Sequence, residues 1–232
     1  SNPNNQRKKE YREYAKLFAR GFNLSTKAYS SVLKTLREYS DVVECKMSAR
    51  EWNAINYETV PSRANLIYNN AFLRNDEERR REYLSKLEKG EVKINAGTLF
   101  PHDIVHKYTS GSWRSYLNNY DAALEGMWKA LPDTVKGNGN TLVVADGSGS
   151  MTCNVGGKTS VTALDVANAL AIYFAERASG EFKDKYITFS NRPQLVDFSN
   201  AKNLREKIQI ALRHNEVADT NIEATFDLIL KT

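Results

Sequence analysis

The stretch Leu142-Val143-Val144-Ala145-Asp146-Gly147-Ser148-Gly149-Ser150-Met151 decides how the rest of the chain is read. Its first four residues form a continuous apolar run, the pattern of a short strand covered on both faces, as in a parallel sheet. The run ends on a carboxylate and two hydroxyls at alternate positions, spaced by glycines. One tight loop can therefore turn the oxygens of Asp146, Ser148 and Ser150 toward a single point. Hard cations take oxygen ligands, and Mg²⁺ or Mn²⁺ held by one carboxylate and neutral hydroxyls would keep positive charge and seek an anionic sixth ligand. Open α/β sheets bind their ligands at the carboxyl ends of parallel strands. An ordinary Gly/Ser-rich turn has the same composition, so spacing alone leaves both readings open.

Downstream the chain alternates strand and helix. Thr162 to Ala178 reads as a helix apolar almost all round, through Leu164, Val166, Ala167, Leu170, Ala171 and Phe174. Tyr186–Phe189 and Gln194–Phe198 read as strands joined by four residues, which suits an antiparallel hairpin. The first two strands, separated by a helix, need a crossover and should be parallel. Asn203–His214 and Ile222–Leu230 complete the pattern as amphipathic helices. Rival motifs fit poorly. A nucleophile elbow has glycines two before and two after its serine, where Ser148 has Asp146 and Ser150. Gly157-Lys158-Thr159 offers the end of a P-loop, but Thr152 stands where the first glycine belongs.

Upstream, through residue 135, the sequence reads as helices. Tyr11, Tyr14, Ala15 and Phe18 recur at helical spacing, and Ser25 can cap a helix carrying Tyr29, Val32, Leu33 and Leu36. Ser48 and Glu51 have capping-box spacing. Ser62 opens a helix with Ile67, Tyr68 and Phe72, and the charged run Asp76–Lys89 reads as a solvated helix. Trp113 to Leu131 carries further helical pattern. The glycine-containing segment 136–140 reads as the junction between a helical module, residues 1–135, and an α/β part, residues 140–232.

Of the 232 residues, 33 are Lys or Arg and 28 are Asp or Glu. The excess positive charge lies wholly before residue 140, with 23 basic and 17 acidic residues against 10 and 11 afterwards. That asymmetry admits an anionic partner such as RNA, for which Arg79, Arg80, Arg81 and Arg114 are the candidate contacts, the last beside Trp113, Tyr116 and Tyr120. Glu77, Glu78 and Glu82 interleave with the arginine triplet, as on an ordinary solvated face. His102 and His106 have the i, i+4 spacing of zinc ligands but no third ligand beside them. Two cysteines are too few for a disulfide framework, and no apolar stretch suits a membrane span, so a cytoplasmic protein is expected.

Asp146-Gly-Ser148-Gly-Ser150 after an apolar strand resembles the metal-ion-dependent adhesion site of von Willebrand factor A domains. The resemblance implies a second element, a threonine on a later loop, and Ala218-Asp219-Thr220-Asn221 nominates Thr220. Its third element, an aspartate after a fourth strand, would fall beyond Thr232. The resemblance thus implies a fold of α plus α/β type: a helical module, then a partial Rossmann-like A domain with a mostly parallel sheet, carried by a fragment of a longer protein. In the helical part, Leu36-Arg37-Glu38-Tyr39, Tyr57-Glu58-Thr59-Val60-Pro61-Ser62, Ala71-Phe72-Leu73-Arg74-Asn75-Asp76 and Lys93-Ile94-Asn95-Ala96-Gly97-Thr98-Leu99-Phe100-Pro101-His102 are similar to the domain-of-unknown-function 2828 family. The two-part arrangement is more distantly similar to Ro-type RNA-binding proteins.

The function expected is a non-enzymatic, metal-dependent binding or scaffold protein. Its metal would be Mg²⁺ or Mn²⁺ on Asp146, Ser148, Ser150 and Thr220, and its partner a protein offering an exposed carboxylate. Two alternatives are a Ro-like RNA-binding protein using the basic helical module and a metal-assisted hydrolase. No base, nucleophile or cofactor loop stands together in sequence in a way that points to turnover.

Overall fold

In a computed structural model, residues 3–110, 117–135, 141–156, 160–216 and 218–232 are described. The expected junction at 136–140 lies outside them, as do Trp113, Arg114, Tyr116 and the Lys158-Thr159 pair. The chain divides into two compact units, residues 1–55 and 56–232.

The first unit holds helices α1 (Pro3–Gly21), α2 (Thr26–Tyr39) and α3 (Val43–Ala49). Ser25 caps α2 as expected, its Oγ accepting the Ala28 N–H at 3.1 Å. The capping box at Ser48 and Glu51 does not form. Ser48 instead lies in the last turn of α3, which ends on Arg50 at φ 62°, and only a single 3₁₀ turn, Trp52–Ala54, follows. Tyr14, Leu17, Phe18 and Phe22 of this unit are exposed.

The second unit opens with α4 (Ser62–Asn75), α5 (Glu77–Glu88), α6 (Pro101–Thr109) and α7 (Ala122–Lys129). Segment 117–121, expected to be helical, is not; α7 starts only after Asp121, its extended N-cap. Its Oδ1 accepts the Ala123 and Leu124 N–H groups at 2.8 and 3.2 Å. α5 and α7 approach closely at Gly126, where a Cβ would stand 2.5 Å from Leu87 Cδ2 and force that side chain to move. Phe72, Ile104, Tyr108, Met127 and Trp128 are buried and form the core between these helices.

The remainder is β1 (Val143–Asp146), α8 (Ala163–Arg177), β2 (Lys185–Phe189), β3 (Leu195–Asp197), α9 (Leu204–Arg213) and α10 (Ile222–Lys231). The strands form one sheet in the order β1-β2-β3. β1 and β2 are parallel, with Asp146 opposite Phe189, and β2 and β3 are antiparallel, with Tyr186 opposite Val196. The helix between β1 and β2 is what permits the parallel pairing, and the short link after β2 dictates the hairpin. With one parallel and one antiparallel pairing, the sheet is mixed rather than mostly parallel.

β1 departs from its apolar sequence. Among the described residues it pairs only with β2, at the edge of the sheet, and it is not covered on both faces, since Val144 is 42% exposed. Burial is concentrated instead in β2, where Tyr186, Ile187 and Thr188 are all enclosed, together with Val196, Ile172 and Ile208. α8 begins with a capping box: Thr162 Oγ1 accepts the Asp165 N–H, and Asp165 Oδ2 accepts the Thr162 N–H, each at 3.0 Å. Both α6 and the strand β1 pack against α8, so helical and sheet-bearing segments share one core.

Burial raises the pKa of Tyr57, Tyr108 and Tyr186, and pushes that of Tyr83 up to about 12. The folded chain therefore keeps phenol protons that the unfolded chain releases near pH 10. The stabilisation is fully present below that pH and is lost as pH rises through the folded-state values. Urea midpoints should accordingly fall between pH 9 and pH 11.5, in step with a cooperative phenolate absorbance change. A midpoint that stays level over this range would contradict the burial of these rings.

Candidate functional site

The loop after β1 is built by its own hydrogen bonds. Asp146 Oδ1 accepts the Ser148 N–H at 2.8 Å, which folds the carboxylate back over the turn. Ser148 Oγ lies 3.0 Å from Ser150 Oγ, and Thr152 Oγ1 donates to the Gly149 carbonyl at 2.7 Å. A 3₁₀ turn, Gly149–Thr152, follows directly and supports the arrangement. Ser148 is buried, Asp146 half-buried and Ser150 exposed.

Thr220 lies just before α10, in a loop tied to the carboxyl end of β2. The following residue, Asn221, donates its N–H to the Ser190 carbonyl at 3.2 Å, and Ser190 is the residue after β2. Because Asp146 is paired with Phe189, the Thr220 loop and the Asp146 loop flank the ends of adjacent parallel strands. Thr220 is exposed, and among the described residues no hydrogen bond joins it to Asp146, Ser148 or Ser150. Asn221 caps α10 through its Oδ1 to the Ala224 N–H at 2.9 Å.

Two polar atoms near these loops have no partner among the described residues. Ser190 Oγ is enclosed at the end of β2, and Asn215 Nδ2 belongs to a side chain that lies against Gly147. Leaving buried donors unsatisfied costs about 1–3 kcal/mol each, so such positions mark places where a ligand or water belongs. Among the described residues, no three His, Cys, Asp or Glu side chains gather at metal-binding distance. A site of one carboxylate and several hydroxyls does not need such a cluster.

The arginine candidates are placed differently from one another. Arg80 is fully buried: its guanidinium lies 4.8–5.2 Å from the ring centres of Tyr57, Phe72 and Tyr83, and its Nε and one terminal nitrogen donate to Asn69 Oδ1 at 3.2 and 2.8 Å. It offers nothing to a phosphate in solvent. Arg79 pairs with Asp76, the N-cap of α5, at 2.8 Å, and Arg81 with Glu77 of the same helix at 2.8 Å. Arg114 lies outside the described residues.

The two histidines diverge. His102 stacks on Phe100, with ring centres 5.5 Å apart. His106 reaches α8 instead: its Nδ1 is 3.2 Å from Asp165 Oδ2 and its Nε2 is 2.9 Å from Ser160 Oγ. Thr109 Oγ1 donates to Asp165 Oδ1 at 2.9 Å, so the carboxylate is held from three sides. The sequence singles out His106 as one of a spaced histidine pair but gives no sign of its meeting with Asp165 and Ser160, because residues 59 and 54 positions apart leave no local pattern.

Among the described residues no helix is long and apolar enough to cross a membrane. No solved structure matches the chain. Residues 140–232 match a second domain of unknown function, DUF7788. An uncharacterised protein of Acanthamoeba polyphaga mimivirus is 30% identical over 224 residues, covering 90% of this chain and 36% of the viral protein. The chain thus spans about a third of the length of that relative. The model of the domain of unknown function DUF2828 matches residues 4–141, more than half of the sequence, and the chain belongs to that family.

Proposed function

We propose that the chain is a metal-dependent binding protein, in which Asp146, Ser148 and Ser150, with Thr220 from the adjoining loop, hold Mg²⁺ or Mn²⁺. The observation that carries this reading is the 3.0 Å approach of Ser148 Oγ to Ser150 Oγ in a loop fixed by the Asp146 carboxylate. Neutral hydroxyls with one carboxylate suit a hard cation and leave it net positive charge. The unpartnered Ser190 Oγ and Asn215 Nδ2 fit the same place, as polar groups awaiting a bound ligand or its water. A metal bound there would supply a Lewis-acidic anchor for a carboxylate on a protein partner. The loop's own residues shape and orient that site, as in the A-type domains that it resembles. The RNA-binding alternative draws nothing from Arg80, which is enclosed, and little from Arg79 and Arg81, whose charges are met by neighbouring carboxylates.

One carboxylate and three hydroxyls compete poorly with water, so the 232-residue chain should bind Mn²⁺ weakly, with a dissociation constant above about 0.1 mM. Titration calorimetry with Mn²⁺, together with paramagnetic broadening of the Ser148, Ser150 and Thr220 amide signals, checks this. Asp146→Ala should abolish both heat and broadening while leaving the melting temperature close to that of the parent. Broadening that is absent from these amides, or unchanged in Asp146→Ala, removes the proposal.

A further inference from the structure

Ser160, His106 and Asp165 stand in a chain of hydrogen bonds that nothing in the metal site requires. A carboxylate only accepts, so the proton between Asp165 Oδ2 and His106 Nδ1 belongs to the imidazole. In the neutral ring this leaves Nε2 as an acceptor, and the Ser160 hydroxyl must donate to it across 2.9 Å. A serine whose proton already points at a base, itself oriented by a carboxylate, has the relationships of an activated nucleophile.

The surroundings fix each member. Asp165 cannot swing away, because its two oxygens also accept from Thr109 Oγ1 and the Thr162 N–H. His106 is carried by α6, which packs on α8, and its side chain is largely shielded, whereas Ser160 is exposed. The residues that follow Ser160 are held by short antiparallel pairing with residues 153–155. Val155 N–H donates to the Val161 carbonyl and Ala163 N–H to the Cys153 carbonyl, both at 2.9 Å, with Asn154 opposite Thr162. Ser160 also lies two residues before the cap of α8, so it sits by the positive end of a 15-residue helix dipole.

We propose that Ser160 is an acyl-accepting nucleophile, with His106 as its general base and Asp165 as the positioning residue, acting on carboxylic esters that reach an open surface. The Ser160 Oγ lone pair would attack the ester carbonyl carbon as its proton passes to His106 Nε2. The carbon–oxygen bond to the leaving group then breaks, and the imidazolium returns that proton to the departing oxygen. Water repeats the sequence on the acyl-serine, releasing the carboxylic acid and restoring the Ser160 hydroxyl. Ester and water are the only reactants.

The test is covalent labelling of the 232-residue chain with a fluorophosphonate probe, mapped by mass spectrometry, alongside p-nitrophenyl acetate turnover. The expected result is an adduct on Ser160 and on no other serine at comparable rate. Ser160→Ala should remove it without a change in melting temperature, since the side chain is exposed. His106→Gln and Asp165→Asn should each slow labelling by about 10²–10⁴-fold. Nitrogen-15 NMR of the histidines adds a readout that a purely structural Asp165 would not move: the Nδ1-protonated tautomer of His106 in the parent, lost in Asp165→Asn. No adduct on Ser160 in the parent chain overturns the proposal, as does a labelling rate that is the same in His106→Gln. In either case the three residues serve only to join α6 to α8.

Discussion

Replacing Arg80 by alanine should destabilise the unit of residues 56–232 by about 3–5 kcal/mol, among the largest effects of any single substitution. The side chain is fully enclosed, with rings from three different segments around its guanidinium. Among the described residues its charge is not met directly by a carboxylate. Asn69 Oδ1 accepts from it, while Asn69 Nδ2 donates to Asp121 Oδ2 at 2.9 Å, so the countercharge is reached only through an amide. The other terminal nitrogen has no hydrogen-bond partner among the described residues. Burial pulls the Arg80 pKa below its usual value, although a guanidinium stays charged. Truncation to alanine would leave a cavity lined by Tyr57, Phe72 and Tyr83 and an orphaned Asn69 acceptor. Lysine should be about as harmful, since an ammonium is more strongly hydrated and cannot reproduce the planar fork. Methionine should cost less than either, because it fills the space and removes a buried charge whose desolvation is incompletely offset. Urea unfolding of the three variants at matched m-values decides the matter. Equal losses for methionine and alanine would mean that cavity volume is not the main term.

The second large loss is expected at Trp128, for which alanine should cost about 3–5 kcal/mol. Its ring is enclosed on α7, meets Tyr173 of α8 edge to face at 6.2 Å between centres, and lies 5.9 Å from the Arg177 guanidinium. Its indole N–H donates to Glu176 Oε2 at 2.9 Å. That oxygen also faces Lys207 Nζ at 3.1 Å, so it keeps a partner when the indole goes. Trp128→Phe should therefore lose only about 1–2 kcal/mol, the volume difference and one hydrogen bond. Thermal melts of both variants check the ratio. A phenylalanine variant as unstable as the alanine one would assign the effect to the indole N–H rather than to packing. The neighbouring Glu125 strengthens the same junction, its buried Oε2 accepting the Leu204 N–H at the start of α9 at 2.8 Å.

What the sequence made legible follows the range of the physics. The hairpin, the parallel crossover and the Ser25 cap depend on residues close in the chain, and each stands where its pattern places it. Ser148 Oγ approaches Ser150 Oγ, and the Asp146 carboxylate takes the Ser148 N–H, for the same reason: the three residues share one turn. Arg80 shows the opposite case. Its neighbours along the helix are charged and suggest solvent, but Tyr57 and Phe72 arrive from elsewhere in the chain to enclose it. The apolar run at 142–145 predicts a strand covered on both faces, but it records what a strand could bury rather than what packs on it, and Val144 is left exposed. His106, Asp165 and Ser160 carry no shared local signal, since two packed helices bring them together.

The position of β1 at the sheet edge also bears on local opening. A strand paired along one side can detach by breaking a single ladder, so the free energy for freeing it can lie well below that for unfolding the whole unit. The loop of Asp146, Ser148 and Ser150 hangs from the end of that strand and shares its fluctuations. Any ligand held by the closed loop alone suppresses the opening, by RT ln(1 + [L]/Kd). A weak ligand at millimolar concentration would then act as a fastener for the strand, so that occupancy of the loop and the order of the sheet edge rise and fall together.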